Sequence, residues 1–262
     1  LNKREEKMVH LVLTPAAGKR LIAKAIAIRP DIKQALQSGT VAIVAGTTNG
    51  YVAEEILMSI NQAEGFSKES FFRGVTMPPS KPADGTGKAA GCRVFPGDVV
   101  IVKGRWQKGR TIFDVADEMK EGDIILKGAN ALDMAGRRAA VLIGDPRGGT
   151  IIEAIRAVVG KRTRLIIPVG LEKRVSSSLD ELALKVNAPG VKGPRLLPVT
   201  GEVITELEAV SILSGTSAEL FAAGGVCGAE GTVWLAVSGE KAKERKIREI
   251  ADFVSNEPAF SA

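Results

Sequence analysis

TVAIVAGTTNG, residues Thr40 to Gly50, decides how the rest of the chain is read. Residues 40–45 are a short, continuous apolar run rich in β-branched side chains, the pattern of a strand buried on both faces. The run stops at Gly46, and Thr47, Thr48, Asn49 and Gly50 lead into the spacing Val52, Ile56, Ile60, which belongs to a helix. A buried strand that turns through glycine into a helix is the repeating step of a parallel sheet with helical crossovers.

The same step recurs on either side. Upstream, Thr14-Pro15 opens a helix and Gly39 closes the helical stretch before the strand. Downstream, strands are predicted near 98–103, 123–127, 139–143 and 164–169. Thr111-Ile-Phe-Asp114 and Thr150-Ile-Ile-Glu153 read as capping boxes that open helices. The five strands predict an α/β protein. Its mainly parallel, Rossmann-like sheet has helices on both faces and all strand carboxyl ends on one side. Residues 61–97, with MPPSKPADGTGKAAG at their centre, form a loop-rich excursion too long for an ordinary connection.

From residue 194 the pattern changes. RLLPV reads as a strand, GEVITELEAVSILSG as a helix, 218–223 and TVWLAVSG as strands, and 241–254 as an amphipathic helix. That β-α-β-β-α order is most of a split βαβ unit. The expected division is therefore an α/β domain over 1–193 and a small α+β unit over 194–262.

Composition limits the chemistry. The chain has 262 residues with 45% hydrophobic and 25% charged content, which excludes disordered and collagen-like classes. No apolar run reaches membrane-spanning length, so no membrane partner is expected. The N-terminal LNKREEKMVH has no signal-peptide pattern, and Cys92 and Cys227 are isolated from each other. Both are expected to be reduced, in the cytoplasm. Lys and Arg outnumber Asp and Glu by 36 to 30, a charge of +6 that favours anionic partners. His10 is the one histidine, which leaves little room for a histidine-based triad. No zinc-protease or nucleotide P-loop motif occurs, and no metal or cofactor is expected. Aromatic residues are only 4%, so nucleic acid is disfavoured as a partner, although KGRWQKGR at 103–110 is basic. A homo-oligomer stays open.

Ligands of parallel sheets bind beyond the strand carboxyl ends, where glycine turns expose backbone N–H groups. Three such turns stand out. Gly46, Thr47, Thr48 and Asn49 offer hydroxyls and helix-start N–H groups to a phosphate or carboxylate. Arg147, Gly148, Gly149 and Thr150 add a bidentate cation and close backbone approach. Lys127 to Asp133 place an amine, the Asn130 amide and a carboxylate at the end of a buried strand. Lys127 and Asp133 are the candidate acid/base pair, because a charged group at the end of a buried strand needs a partner. If every strand were parallel, the three turns would share one pocket.

AGTTNG, GANALDMAG and the strand–glycine turn–helix of IGDPRGGTI together resemble the superfamily of ribose-5-phosphate isomerase A, glucosamine-6-phosphate deaminase and the CoA transferases, over residues 38–170. The same fold is found in the sugar-sensing domains of DeoR-type regulators. The resemblance implies a small anionic, phosphorylated metabolite as ligand and an isomerase-type proton transfer. A non-catalytic metabolite sensor and CoA-ester chemistry are the alternatives. The sequence departs from the isomerases: Lys127 and Asn130 stand where aspartates are expected, and their KGGGGAL stretch is absent.

Overall fold

The computed structural model describes residues 8–73 and 97–260. Strand β1 (Val9–Leu13) buries alternate residues and leads into helix α1 (Pro15–Ile28). Thr14 caps α1, its hydroxyl accepting from the Ala17 N–H at 3.2 Å, and Pro15 occupies the first turn where its missing N–H costs nothing. Helix α2 (Pro30–Ser38) ends at Gly39, and β2 (Thr40–Ile43) and α3 (Thr47–Ser59) follow. Next come β3 (Val99–Val102), β4 (Arg105–Trp106), the single turn α4 (Ile112–Val115) and β5 (Ile124–Leu126). After β6 (Ala131–Asp133) and β7 (Arg138–Ile143), helix α5 (Gly149–Lys161) leads to β8 (Arg164–Pro168) and α6 (Leu179–Val186). The chain continues through β9 (Arg195–Val199), β10 (Glu202–Ile204), α7 (Glu206–Ser214), β11 (Ser217–Ala223), β12 (Val233–Ser238) and α8 (Lys241–Ser255).

The main sheet is mixed and has the order β10-β8-β5-β2-β3-β4. β10, β8, β5 and β2 run parallel, so four strand carboxyl ends share one edge. The chain is thus α/β with a mostly parallel sheet, as the sequence predicts, but two of the five predicted strands behave otherwise.

Residues 99–102 lie antiparallel to β2, with Ile43 opposite Val99. β3 returns as β4 through a two-residue turn, Lys103-Gly104, with φ of 47° and 77°. Positive φ at both turn positions matches the right-handed twist of a hairpin, so the pair forms the antiparallel edge of the sheet.

Residues 139–143 are not in the main sheet. They pair antiparallel with β6 on one side and β9 on the other. Asp133-Met-Ala-Gly136-Arg137 is a hairpin turn, with Arg137 at φ 49° and the Gly136 N–H donating to Asp133 Oδ1 at 3.0 Å. The short spacing between the ALD and RAAVLI runs therefore makes a hairpin, not a crossover.

The segment expected as one helix from 201 is a strand followed by a helix. Glu202–Ile204 pairs with β8, and Thr205 then caps α7 in a full capping box with Glu208. Thr150 does not cap α5. The N-cap is Gly148 at φ 89°, where a side chain would run into Ile152. β11 and β12 join β1 in a third, antiparallel sheet, β1-β12-β11. α1 is buried nearly all round and packs against α3, α7 and α8. Its Arg20 reaches Glu54, Glu55 and Glu257, tying α1, α3 and the residues after α8 together. No helix among the described residues is long and apolar enough to cross a membrane.

Candidate functional site

The parallel strands converge on one edge, and each ends in polar or charged residues. After β2 come Gly46 to Asn49, after β5 Lys127, after β8 Glu172 and Lys173, and after β10 Glu206. Asp98 joins them because β3 is antiparallel and begins where β2 ends.

Neighbouring parallel strands lie ~4.8 Å apart, so the ends of β2 and β5 are side by side. The Val44 N–H donates to the Leu126 carbonyl at 2.9 Å. The buried Asn49 side chain closes the gap, its Nδ2 donating to Val44 O at 2.7 Å and to Leu126 O at 2.9 Å. Two carbonyl acceptors fix which end of the amide is nitrogen. Asn49 Oδ1 and the buried Thr48 hydroxyl then have no hydrogen-bond partner among the described residues. Gly46, at φ 175° in extended backbone, makes no side-chain cap to α3. The helix start therefore carries N–H groups outside the helical ladder beside two unpartnered polar side chains.

Lys127 keeps only a small share of its surface open to solvent. Its Nζ lies 3.5 Å from the carbonyl of its neighbour Gly128, and no carboxylate among the described residues is at ion-pair distance. Burial pushes its pKa down to about 8. Asp98 opposes the shift, and the cations of Lys173 and Arg73 add to it. The Asp98 charge is already committed: its carboxylate accepts from the Ala45 and Ile112 N–H groups at 2.9 and 2.8 Å and pairs with Arg73 at 3.0 Å.

Lys173 is held differently, its Nζ donating to Ala129 O at 2.9 Å. Its pKa is lowered by burial, with Lys19 adding to the shift and Glu172 and Glu206 opposing it. Glu206 is 1% exposed, and its Oε2 accepts from the Leu171 N–H at 2.9 Å. Burial and the charge of Glu172 raise its pKa. Gly18 of α1 lies against the Glu206 carboxyl, and a side chain there would collide with it.

The structure brings Gly46, Thr47, Thr48, Asn49 and Lys127 together. It places the other sequence candidates in different surroundings. Asn130 Oδ1 accepts from the Leu142 N–H at 3.0 Å and braces the β6–β7 hairpin. Asp133 closes the tip of that hairpin. Arg147, 89% exposed in its side chain, Gly148, Gly149 and Thr150 follow β7 out of the separate sheet. The turn at 147–150 therefore does not leave the main-sheet edge that carries 46–50 and Lys127. Cys92 lies outside the described residues, and Cys227 is a free, exposed thiol. No protein-family model, curated protein or solved structure matches the chain.

Glu172, Lys173, Glu206 and Asp98 were not among the sequence candidates. The rule that singled out Lys127, a charge at the end of a buried strand, applies equally to PVGLEK at 168–173. Glu206 was hidden because β10 reads as part of the following helix.

Proposed function

We propose that the carboxyl edge of β2 and β5 binds a small anionic, phosphorylated metabolite and that Lys127 moves a proton on it, in an isomerase-type reaction. One observation carries the reading: an uncapped helix start whose Thr48 hydroxyl and Asn49 Oδ1 have no partner stands beside a largely buried ammonium that has no counter-ion among the described residues. Buried polar groups are nearly always satisfied, so each unsatisfied one calls for a partner. A phosphate offers acceptors to the helix N–H groups, the Thr48 hydroxyl and Lys127. Asn49 Oδ1 needs a donor, which a hydroxyl of a polyol phosphate supplies. An amine that titrates near neutrality can both give and take a proton.

The test is a thermal-shift panel of aldose phosphates, ketose phosphates and inorganic phosphate. At least one phosphorylated compound should raise the melting temperature, and Thr48→Val and Lys127→Met should each remove that rise. Conversion of the bound compound, followed by NMR, would make the site catalytic, and binding without conversion would make it a sensor. A panel in which no phosphorylated compound shifts the transition overturns the reading.

A further inference from the structure

We infer that Lys127 is a nucleophile that forms an imine with the carbonyl carbon of a small anionic aldehyde or ketone. The inference rests on the anion-site reading and narrows its substrate class to carbonyl compounds. Placement is the first argument. Lys127 leaves the end of β5 beside the α3 N-terminus, with Arg73 and Lys173 as its cationic neighbours and Asp98 as its acidic one. Asp98 already accepts from two backbone N–H groups and pairs with Arg73, and it is not at ion-pair distance from the amine.

Comparison with Lys173 is the second argument. Both lysines are largely buried at the same edge, but Lys173 is spent on the Ala129 carbonyl at 2.9 Å. Among the described residues Lys127 has only its 3.5 Å contact with Gly128 O. Its lone pair is the one available once a proton leaves, and burial among cations favours the neutral amine.

The chemistry balances without an outside oxidant. The ammonium gives one proton to solvent. Nζ attacks the carbonyl carbon, the C–N bond forms as the C=O π pair moves to oxygen, and a proton passes from the nitrogen to that oxygen to give a neutral carbinolamine. The hydroxyl takes a proton from solvent and leaves as water while the nitrogen lone pair forms C=N, and the protonated imine returns that proton to solvent. Hydrolysis reverses each step.

Pyridoxal 5′-phosphate, a phosphorylated aldehyde, is a suitable probe. The full chain is incubated with it near neutral pH, reduced with borohydride so that hydride fixes the imine as a secondary amine, and mapped by peptide mass spectrometry. Lys127 should be modified about ten-fold faster than exposed lysines, since its neutral fraction is larger at neutral pH. Excess inorganic phosphate should slow it, and Lys127→Arg should abolish that one adduct. Labelling of exposed lysines or of Lys173 with Lys127 unmodified overturns the inference. Glycolaldehyde, an uncharged carbonyl, and phosphate binding followed by 31P NMR separate the two claims. Phosphate binding without a Lys127 adduct from either aldehyde leaves the anion site standing and removes the imine. A glycolaldehyde adduct at Lys127 without phosphate binding supports the amine's role and removes the anion site.

Discussion

The side-chain amide of Asn49 donates to the Leu126 carbonyl at 2.9 Å, one residue before Lys127. That bond crosses from the start of α3 to the end of β5, and a second from the same nitrogen reaches Val44 O. One side chain therefore fixes the spacing between the helix start and the lysine. The arrangement uses both donors of the amide and leaves its oxygen without a partner among the described residues.

Asn49→Ala should strand the Val44 carbonyl, while the Leu126 carbonyl keeps the Val44 N–H, and should lower stability by about 1–3 kcal/mol, the usual cost of a buried acceptor left without its partner. Asn49→Asp should be worse near neutral pH, because a carboxylate facing two carbonyl oxygens has no proton to donate. Urea unfolding of the two variants checks this. If Asn49→Asp is as stable as the wild type near neutral pH, the amide is not the clamp described.

Glu206 gives a pH dependence with a definite sign. Its folded pKa is raised by burial and by Glu172 above the ordinary value of 4.5. Below that ordinary value both states hold the proton and the full contribution to stability is present. As pH rises towards the folded pKa, the unfolded chain has lost the proton and the native chain has not. Stability then falls by up to ~1.4 kcal/mol per pH unit. Glu206→Gln keeps an acceptor for the Leu171 N–H and removes the titration. Between about pH 5 and about pH 7, below the buried lysines' range, the wild type should lose stability more steeply than the variant. Parallel slopes would place the Glu206 carboxyl in its usual range.

The strands were legible in the sequence, but the neighbours they pair with were less so. TVAIVA and DIIL read correctly as buried strands because apolar β-branched runs have few other uses. AAVLIG reads the same way, yet it pairs in the antiparallel β6–β7–β9 sheet. An apolar run records burial on both faces and says nothing about direction, which the turns decide. The short turns at Lys103-Gly104 and at Met134 to Arg137 mark the β3–β4 and β6–β7 hairpins. The site was half legible. Lys127 and the 46–49 turn depend on local sequence, whereas Glu206 meets Glu172 and Lys173 only through parallel pairing of β8 and β10, and Lys19 reaches them from α1.

The hairpin that displaced 139–143 from the main sheet can be tested at its tip. Asp133→Ala removes the acceptor for the Gly136 N–H and should cost about 1 kcal/mol, the usual net worth of such a bond. Asp133→Asn keeps an oxygen in place and should cost little. Equal destabilisation by both substitutions would show that the charge, and not the turn hydrogen bond, matters there.

Lys127 should show function and stability pulling in opposite directions. Its folded pKa is lowered to about 8 from the ordinary 10.5. Between those values the unfolded chain binds the proton and the native chain does not, so this group's contribution rises with pH and is lost as pH falls through about 8. Near neutral pH the protein therefore carries a buried charge it would be more stable without. Lys127→Met, similar in length and uncharged, should stabilise the fold there by up to about 3 kcal/mol, the size of the pKa displacement. The gain should shrink towards pH 10, where native Lys127 has shed its proton. Lys127→Arg should show the opposite, since a guanidinium keeps its charge and remains costly at every pH. Chemical unfolding of the three proteins across that range reads the effect directly. A Lys127→Met gain that does not change with pH would mean that better packing, and not relief of a buried charge, stabilises the variant. The same substitution should abolish the phosphate-dependent rise in melting temperature, the trade expected where a strained group is kept for its chemistry.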